Sequence, residues 1–245
     1  MHQRTLRITT FNIHKGIGSF NSQLVLHEQR ELIRRLHSDI VFLQEVRGDH
    51  IRQHPTHAIQ HKFLADNVWP EFAYGRNAVY PDGHHGNAIL SKFPITNSAN
   101  EDISAHPTEQ RGMLHCEVEI PGWDQPLHCL CVHLGLFAKW RKRQLMAVRH
   151  RIETLIPNEA PLIIAGDFND WRSKAGNILH DGHLKEVFEH TAGRHAKSFP
   201  ALLPMFRLDR IYTRGFHIQQ TQVHHGKAGA KISDHAALSA ILTRT

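Results

Sequence analysis

The chain has 245 residues, 40% hydrophobic and 21% charged, a balance that excludes a disordered or fibrous protein. That length buries a substantial core without covalent staples, and three cysteines, an odd count without zinc-type spacing, exclude a disulfide or zinc framework. An excess of 29 Lys plus Arg over 23 Asp plus Glu leaves a net charge of +6, which favours anionic partners without choosing among nucleic acid, phospholipid head groups and phosphorylated small molecules.

In chain order, residues 6–12 alternate apolar and polar and predict a half-buried strand ending at Asn12. Val25, Leu32, Ile33 and Leu36 fall at helical spacing and predict an amphipathic helix over 24–37. Residues 40–43 read as a short interior strand that stops at Gln44-Glu45. Residues 88–90 read as another, preceded by the turn Pro81-Asp82-Gly83. Residues 113–120 and 127–134 form an antiparallel pair across Pro121-Gly122. A helix is expected over 138–156, its apolar face Leu145, Val148, Ile152 and Leu155. Leu162-Ile163-Ile164 is an interior strand ending at Gly166, where the backbone turns into Asp167-Phe168-Asn169-Asp170. Residues 206–212, 216–223 and 236–242 read as closing strands. Hairpins mixed with helices predict a mixed α/β protein, and with no linker, repeat or low-complexity tract the chain reads as one domain, 1–245.

No apolar run follows Met1, because His2, Gln3, Arg4 and Arg7 interrupt it, so neither a signal peptide nor a membrane span is expected there. The expectation is a soluble, cytoplasmic, monomeric protein. Cys129 and Cys131 share one side of a predicted strand and, with Cys116, read as buried free thiols. The 23 histidines are unusual. The pairs His84-His85 and His224-His225 have the chemistry to catch transition metals, but most of the histidines are expected to be solvated.

Several predicted strands end in a residue that is costly to bury. These are Asn12, Glu45, His133, the pair Asp167 and Asn169, Asp209, and the run Ser233-Asp234-His235. Each has a structural explanation by itself, such as a turn cap or an ion pair of Glu45 with Arg47. Six such sites at strand boundaries point instead to strand ends converging on one cleft. Asp167 and Asn169 are two apart, so in extended geometry they point the same way, one offering a charged acceptor and the other an amide that donates and accepts.

The ordered set Thr10-Phe11-Asn12, Leu43-Gln44-Glu45, Gly86-Asn87-Ala88-Ile89-Leu90-Ser91, Val132-His133-Leu134, Gly166-Asp167-Phe168-Asn169, Leu208-Asp209-Arg210-Ile211 and Ser233-Asp234-His235 resembles the endonuclease/exonuclease/phosphatase (DNase I-like) superfamily, in the form of a small bacterial-type single-domain member. The resemblance covers residues 6–242. It implies a four-layer α/β sandwich, with two mixed, mainly antiparallel sheets packed face to face and flanked by helices. It also implies metal-assisted hydrolysis of a phosphoester, and oxygen ligands without cysteine suit Mg²⁺ or Mn²⁺.

By that resemblance Glu45 is the central metal ligand, helped by Asn12 and Asp234. Asp167 orients or deprotonates the attacking water, Asn169 holds a phosphate oxygen, and His235, oriented by Asp209, donates to the phosphoryl group. His133 resembles the second histidine of the DNase and sphingomyelinase branches, and Arg111 a phosphate-binding arginine. The chain departs from the pattern in one respect: the second histidine of DNase-like enzymes has a glutamate partner, and residues 84–87 contain no acid, Asp82 being the nearest.

The helix after His133 carries Lys139, Arg141, Lys142, Arg143, Arg149 and Arg151 before its first acid, Glu153, with Trp140 among them. A basic patch with an aromatic beside a phosphoesterase site suits nucleic acid, and the substrate-binding candidates are Arg111, Asn169, Trp140, Lys142 and Arg143. The same patch suits anionic lipid. The expectation is therefore a nuclease or related phosphodiesterase. The alternatives are a sphingomyelinase-like phospholipid phosphodiesterase or small-molecule phosphatase, and a catalytically inactive binding scaffold.

Overall fold

The structure, a computed structural model, describes residues 4–19, 24–50, 59–65, 68–179 and 183–245. Its elements in order are β1 (Thr5–Asn12), α1 (Leu26–Arg35), β2 (Ile40–His50), α2 (Gln60–Ala65), β3 (Glu71–Tyr80), β4 (Gly83–Ser91), β5 (Ile95–Asp102), β6 (Gly112–Val118), β7 (Leu127–His133), α3 (Ala138–Leu155), β8 (Leu162–Asp167), α4 (Ala175–Leu179), β9 (Lys185–Glu186), α5 (Val187–Ala192), β10 (Asp209–Arg214), β11 (Phe216–His224), α6 (Lys227–Ile232) and β12 (Ala237–Arg244). They build two six-stranded sheets, ordered β11-β12-β1-β2-β4-β3 and β5-β6-β7-β8-β10-β9.

Each sheet is mixed in the same way. One parallel pair lies at its centre, β1 with β2 and β7 with β8, and the other neighbours run antiparallel. The inner faces meet in a core where Leu6, Ile8, Ile40, Phe42 and Ile89 oppose Leu114, Cys116, Cys129, Cys131 and Ile163. The outer face of the first sheet is covered by Leu26 and Ile33 of α1 and Leu64 of α2. That of the second is covered by Leu145, Val148 and Ile152 of α3. This gives the four-layer sandwich expected. Double coverage explains why the central strands read as unbroken apolar runs. Truncating one of these side chains, Val148 or Ile163 for instance, removes transfer energy and leaves a cavity, at a cost of about 2–4 kcal/mol.

The three cysteines are buried free thiols, and burial pushes Cys116 and Cys131 up to about 12. Among the described residues, no helix is long and apolar enough to cross a membrane.

The structure corrects several readings. Leu155 is exposed and Ile156 takes its place in the core, because four residues after Ile152 lie closer to one helical turn than three. β2 continues past Leu43 to His50 through a bulge, and the strand expected from Phe206 starts at Asp209. β3 and β5 have no counterpart in the sequence reading. β5 (ITNSANED) is a sheet-edge strand with little buried surface, so it has no apolar alternation to read, and its polar side chains guard an open edge. β3 contains a bulge between Arg76 and Ala78 that breaks its period. Six histidines, His61, His85, His115, His128, His133 and His235, are buried, while the other described ones are partly or fully exposed.

Candidate active site

The parallel pairs β1/β2 and β7/β8 end at the same edge of the sandwich. Asn12 pairs in register with Gln44, and His133 with Asp167. β10 enters antiparallel to β8, so its first residue, Asp209, lies opposite Asp167. β12 enters antiparallel to β1 just after Asp234 and His235. Strand polarity therefore delivers all the strand-end polar residues to one place, the carboxyl ends of the four central strands.

Two of the expected site residues reach the cleft through unusual backbone. Glu45 sits in the β2 bulge with φ 56°, a left-handed conformation inside a strand, and Asn169 has φ 48°. Side chains other than glycine adopt this region at a cost of about 1–3 kcal/mol, and such residues cluster at functional sites. Gly166, at φ 150°, lies so close to β7 that an added Cβ would stand 1.9 Å from the Val132 carbonyl oxygen. Only glycine lets β8 approach there and turn Asp167 into the cleft.

Asp167 Oδ2 is the hub. The Asn12 amide donates to it at 3.2 Å, His133 Nε2 lies at 3.5 Å and His235 Nε2 at 3.8 Å. Its other oxygen accepts the Asn169 backbone N–H at 2.9 Å. His235 Nδ1 meets Asp209 Oδ2 at 2.9 Å, and the backbone N–H of Asp209 donates to Ser198 Oγ. The Asn12 amide also reaches Glu45 Oε1 at 3.5 Å, Lys15 lies 3.6 Å from Glu45 Oε2, and His14 lies 3.9 Å from Asp234. The Asn169 amide donates to the Leu134 carbonyl at 2.9 Å, leaving one amide hydrogen for a ligand. Asp170 turns away and caps α4 through the Ala175 N–H.

The charge states follow from these contacts. Burial alone would lower His235, but Asp209 and Asp167 outweigh it and raise the imidazole to about 10. Burial raises Asp167 to about 6, with His235 opposing. Burial alone would raise Glu45, but the imidazoles of His133, His85 and His14 and the Lys15 ammonium outweigh it and bring the carboxyl down to about 2. Burial, reinforced by Arg111, holds His133 well below the usual histidine range, so it is a neutral donor or acceptor.

The donor set fits a hard divalent cation. Glu45 Oε2 is buried with no hydrogen-bond partner, and the neighbouring ligand candidates, Asn12 and Asp234, offer oxygen. Asp167, Asp209 and His235 also bring ligand atoms within 4.8 Å of one another. His235 Nδ1, however, is held by Asp209 at hydrogen-bond distance, which makes this trio a histidine–carboxylate arrangement rather than a metal cage.

The substrate candidates lie around the rim. Arg111 is pinned by the Leu134 and Gln110 carbonyls and by Glu109 at 3.5 Å. Trp140 stacks on His106 at 4.4 Å and lines a 500 Å³ hollow with Arg111 and Phe137. Lys142 and Arg143 are exposed on α3, as is Lys139. The other cations of that helix have structural roles. Arg141 is buried and donates to the Gly135 and Leu136 carbonyls, Arg149 pairs with Glu153, and Arg151 pairs with Glu101 and His115.

Sequence reasoning missed His14, Lys15 and His85, which crowd Glu45. The dipeptide His14-Lys15, one residue beyond the strand-end Asn12, was the available signal. His85 is buried where residues 84–87 offered no acid, and its Nε2 meets the Tyr80 hydroxyl at 3.0 Å.

The sequence profile of the Endonuclease/Exonuclease/phosphatase family matches residues 9–235, a span that contains every residue of this cleft. The chain is 43% identical over 245 residues to "Uncharacterized protein YbhP" of Escherichia coli (strain K12), covering 97% of this chain and 96% of that protein. Among solved structures, the fold is similar to the endonuclease/exonuclease/phosphatase from Beutenbergia cavernae DSM 12333 (TM-score 0.80, 20% identity, covering 99% of this chain and 72% of that one). It is also similar to D. rerio TDP2 complexed with single strand DNA product (TM-score 0.73, 22% identity, covering 98% and 100%). The chain belongs to the Endonuclease/Exonuclease/phosphatase family.

Proposed function

We propose that the chain is a divalent-metal-dependent phosphodiesterase that hydrolyses its substrate by in-line attack of an activated water. The observation that carries this reading is the convergence on one edge of Asp167, the His235–Asp209 pair and a buried, hydrogen-bond-free Glu45 oxygen. Glu45, Asn12 and Asp234 would hold Mg²⁺ or Mn²⁺, which when bound neutralises charge on the phosphate oxygens. Asp167 accepts the proton of the attacking water. His235, kept protonated and oriented by Asp209, donates to the phosphoryl oxygens as charge develops on them. The free hydrogen of the Asn169 amide and the Arg111 guanidinium bind the remaining oxygens. Neutral His133 donates toward the leaving-group side.

The substrate reading starts from nucleic acid, supported by the exposed Lys139, Lys142 and Arg143 and by the DNA-bound TDP2 neighbour. It is weakened by the structural roles of Arg141, Arg149 and Arg151 and by the stacking of Trp140 on His106. A phospholipid phosphodiester is the second reading, favoured by the exposed apolar side chains around the cleft.

The test is hydrolysis by purified protein with Mg²⁺ or Mn²⁺ of bis(p-nitrophenyl) phosphate, plasmid and single-stranded DNA, RNA, phospholipids and phosphorylated sugars. Turnover should stop with EDTA and return with metal. Protein that binds no divalent cation, or Asp167→Ala and His235→Ala variants that both keep full activity, would remove the proposal.

A further inference from the structure

Most of the large apolar side chains that stay exposed among the described residues lie on loops at the edge that carries the cleft. They form two lips. On one side, the loop after β7 projects Leu136 (55% exposed) and Phe137 (61%). That lip is tied to the cleft, because the Leu134 carbonyl accepts from both Asn169 and Arg111, and Leu136 N–H donates to Glu109. On the other side, the segment before β10 projects Leu203 (71%) and Met205 (57%). It too is continuous with the cleft. The Phe199 ring lies 5.0 Å from that of His235, Phe199 and Phe206 pair, and Phe206 meets Trp171 edge-on at 4.9 Å.

Apart from the buried Glu109, which is paired with Arg111, the charge beside these lips is positive. No carboxylate occurs between Asp124 and Glu153, or between Glu189 and Asp209. Lys139, Lys142 and Arg143 are exposed beside the first lip, and Arg194 and Lys197 beside the second, with Arg172 and Lys174 between them. Projecting apolar tips with exposed cations behind them and no carboxylate in either segment are complementary to a surface that is apolar inside and anionic outside. Nucleic acid would stack on aromatic planes, whereas the most projecting tip of the second lip, Leu203, and its neighbour Met205 are not aromatic, Trp140 is covered by His106, and Trp171 and Phe206 meet each other edge-on. A folded protein partner would not explain why both lips frame a phosphoester site.

We propose that the catalytic edge docks on an anionic phospholipid bilayer, with the two lips entering the headgroup–acyl boundary, so that the phosphoester admitted between them is that of a membrane lipid. This rests on the phosphodiesterase reading for the reaction, but the docking itself does not require turnover.

The experiment is flotation of the full chain, in EDTA, with vesicles of phosphatidylcholine containing phosphatidylglycerol and with vesicles of phosphatidylcholine alone. Hydrolysis of soluble bis(p-nitrophenyl) phosphate with Mg²⁺ is measured in parallel. The wild type should float with the anionic vesicles and less with the neutral ones. The double variant Leu203→Ser/Met205→Ser, and independently Leu136→Ser/Phe137→Ser, should reduce vesicle partitioning about tenfold. Their turnover of the soluble ester should stay unchanged. Equal partitioning of wild type and both variants would overturn docking, as would no flotation alongside salt-sensitive retention of DNA. Loss of soluble-ester hydrolysis in the wild type would count against the phosphodiesterase reading and leave docking to be decided by flotation.

Discussion

Buried histidines at two places in the sandwich differ in charge, one held as a cation and the others neutral. At the carboxyl end of β8, His235 faces Asp209 at 2.9 Å and Asp167 at 3.8 Å and is raised to about 10. Toward the other end of β7, on the outer face of the sheet, His115 Nε2 meets His128 Nδ1 at 3.0 Å, and Arg151 Nε donates to His115 Nδ1. There burial, the second imidazole and the guanidinium push His115 down to about 4, and burial also lowers His128. The three rings are similarly buried, so burial does not choose the charge state; the partner does. The Arg151 donor also fixes the order of the chain. His115 Nδ1 must accept, so its Nε2 carries the hydrogen given to His128. The first group is arranged to hold a charge at the strand-end cleft, and the second to remain neutral within a packed face.

The widest separation between the two groups should appear in activity. Asp167→Asn or His235→Gln should lower kcat on bis(p-nitrophenyl) phosphate by about 10³-fold or more, with the far-UV circular dichroism unchanged. Retained activity would make His235 as structural as His115. Next in size, Asp209→Asn should lower kcat by about 10²–10⁴-fold with little change in KM, because it removes the oriented, charged imidazole and not the binding surface. The conservative His115→Gln/His128→Gln pair should leave kcat within about twofold at pH 7.5, where both rings are already neutral.

That same pair separates the groups in stability. Because His115 titrates near 4 when folded and near 6.5 when unfolded, the unfolded chain binds more protons between those values. Its contribution is intact above about pH 6.5 and is lost as pH falls toward 4. Urea midpoints should therefore fall between pH 7 and pH 5, and the double glutamine variant should flatten that slope. An unchanged slope would mean that the His115–His128 contact does not control the acid limb. The smallest effect is expected for Arg151→Leu, which deletes one hydrogen bond to His115 and a partly exposed pair with Glu101, a loss of about 1 kcal/mol by denaturant titration.

How much could be read in advance depended on whether the signal was local. The central strands were legible because a segment covered on both faces must be apolar throughout, as Leu162–Ala165 is. β5 was not, because an exposed edge strand imposes no such pattern. The strand-end residues were legible as misfits in apolar runs, and their order along the chain carried the family resemblance. The α3 cations misled as a group, since a sequence cannot tell Lys142, which faces solvent, from Arg141, which ties a loop.

Residue order alone determined the layered α/β class, because local periodicity is a property of neighbouring residues, and its ordered motifs carried the family resemblance that singled out Asn12, Glu45, Asp167, Asn169, Asp209 and His235 as candidates. Tertiary structure decided the rest: the bulge that aims Glu45, the Asn12–Asp167 contact across 155 residues, the different charge states of His235 and His115, and the two apolar lips around the cleft. The physical reason is that a buried group's charge, and an apolar group's exposure, are set by what packs against it from distant parts of the chain.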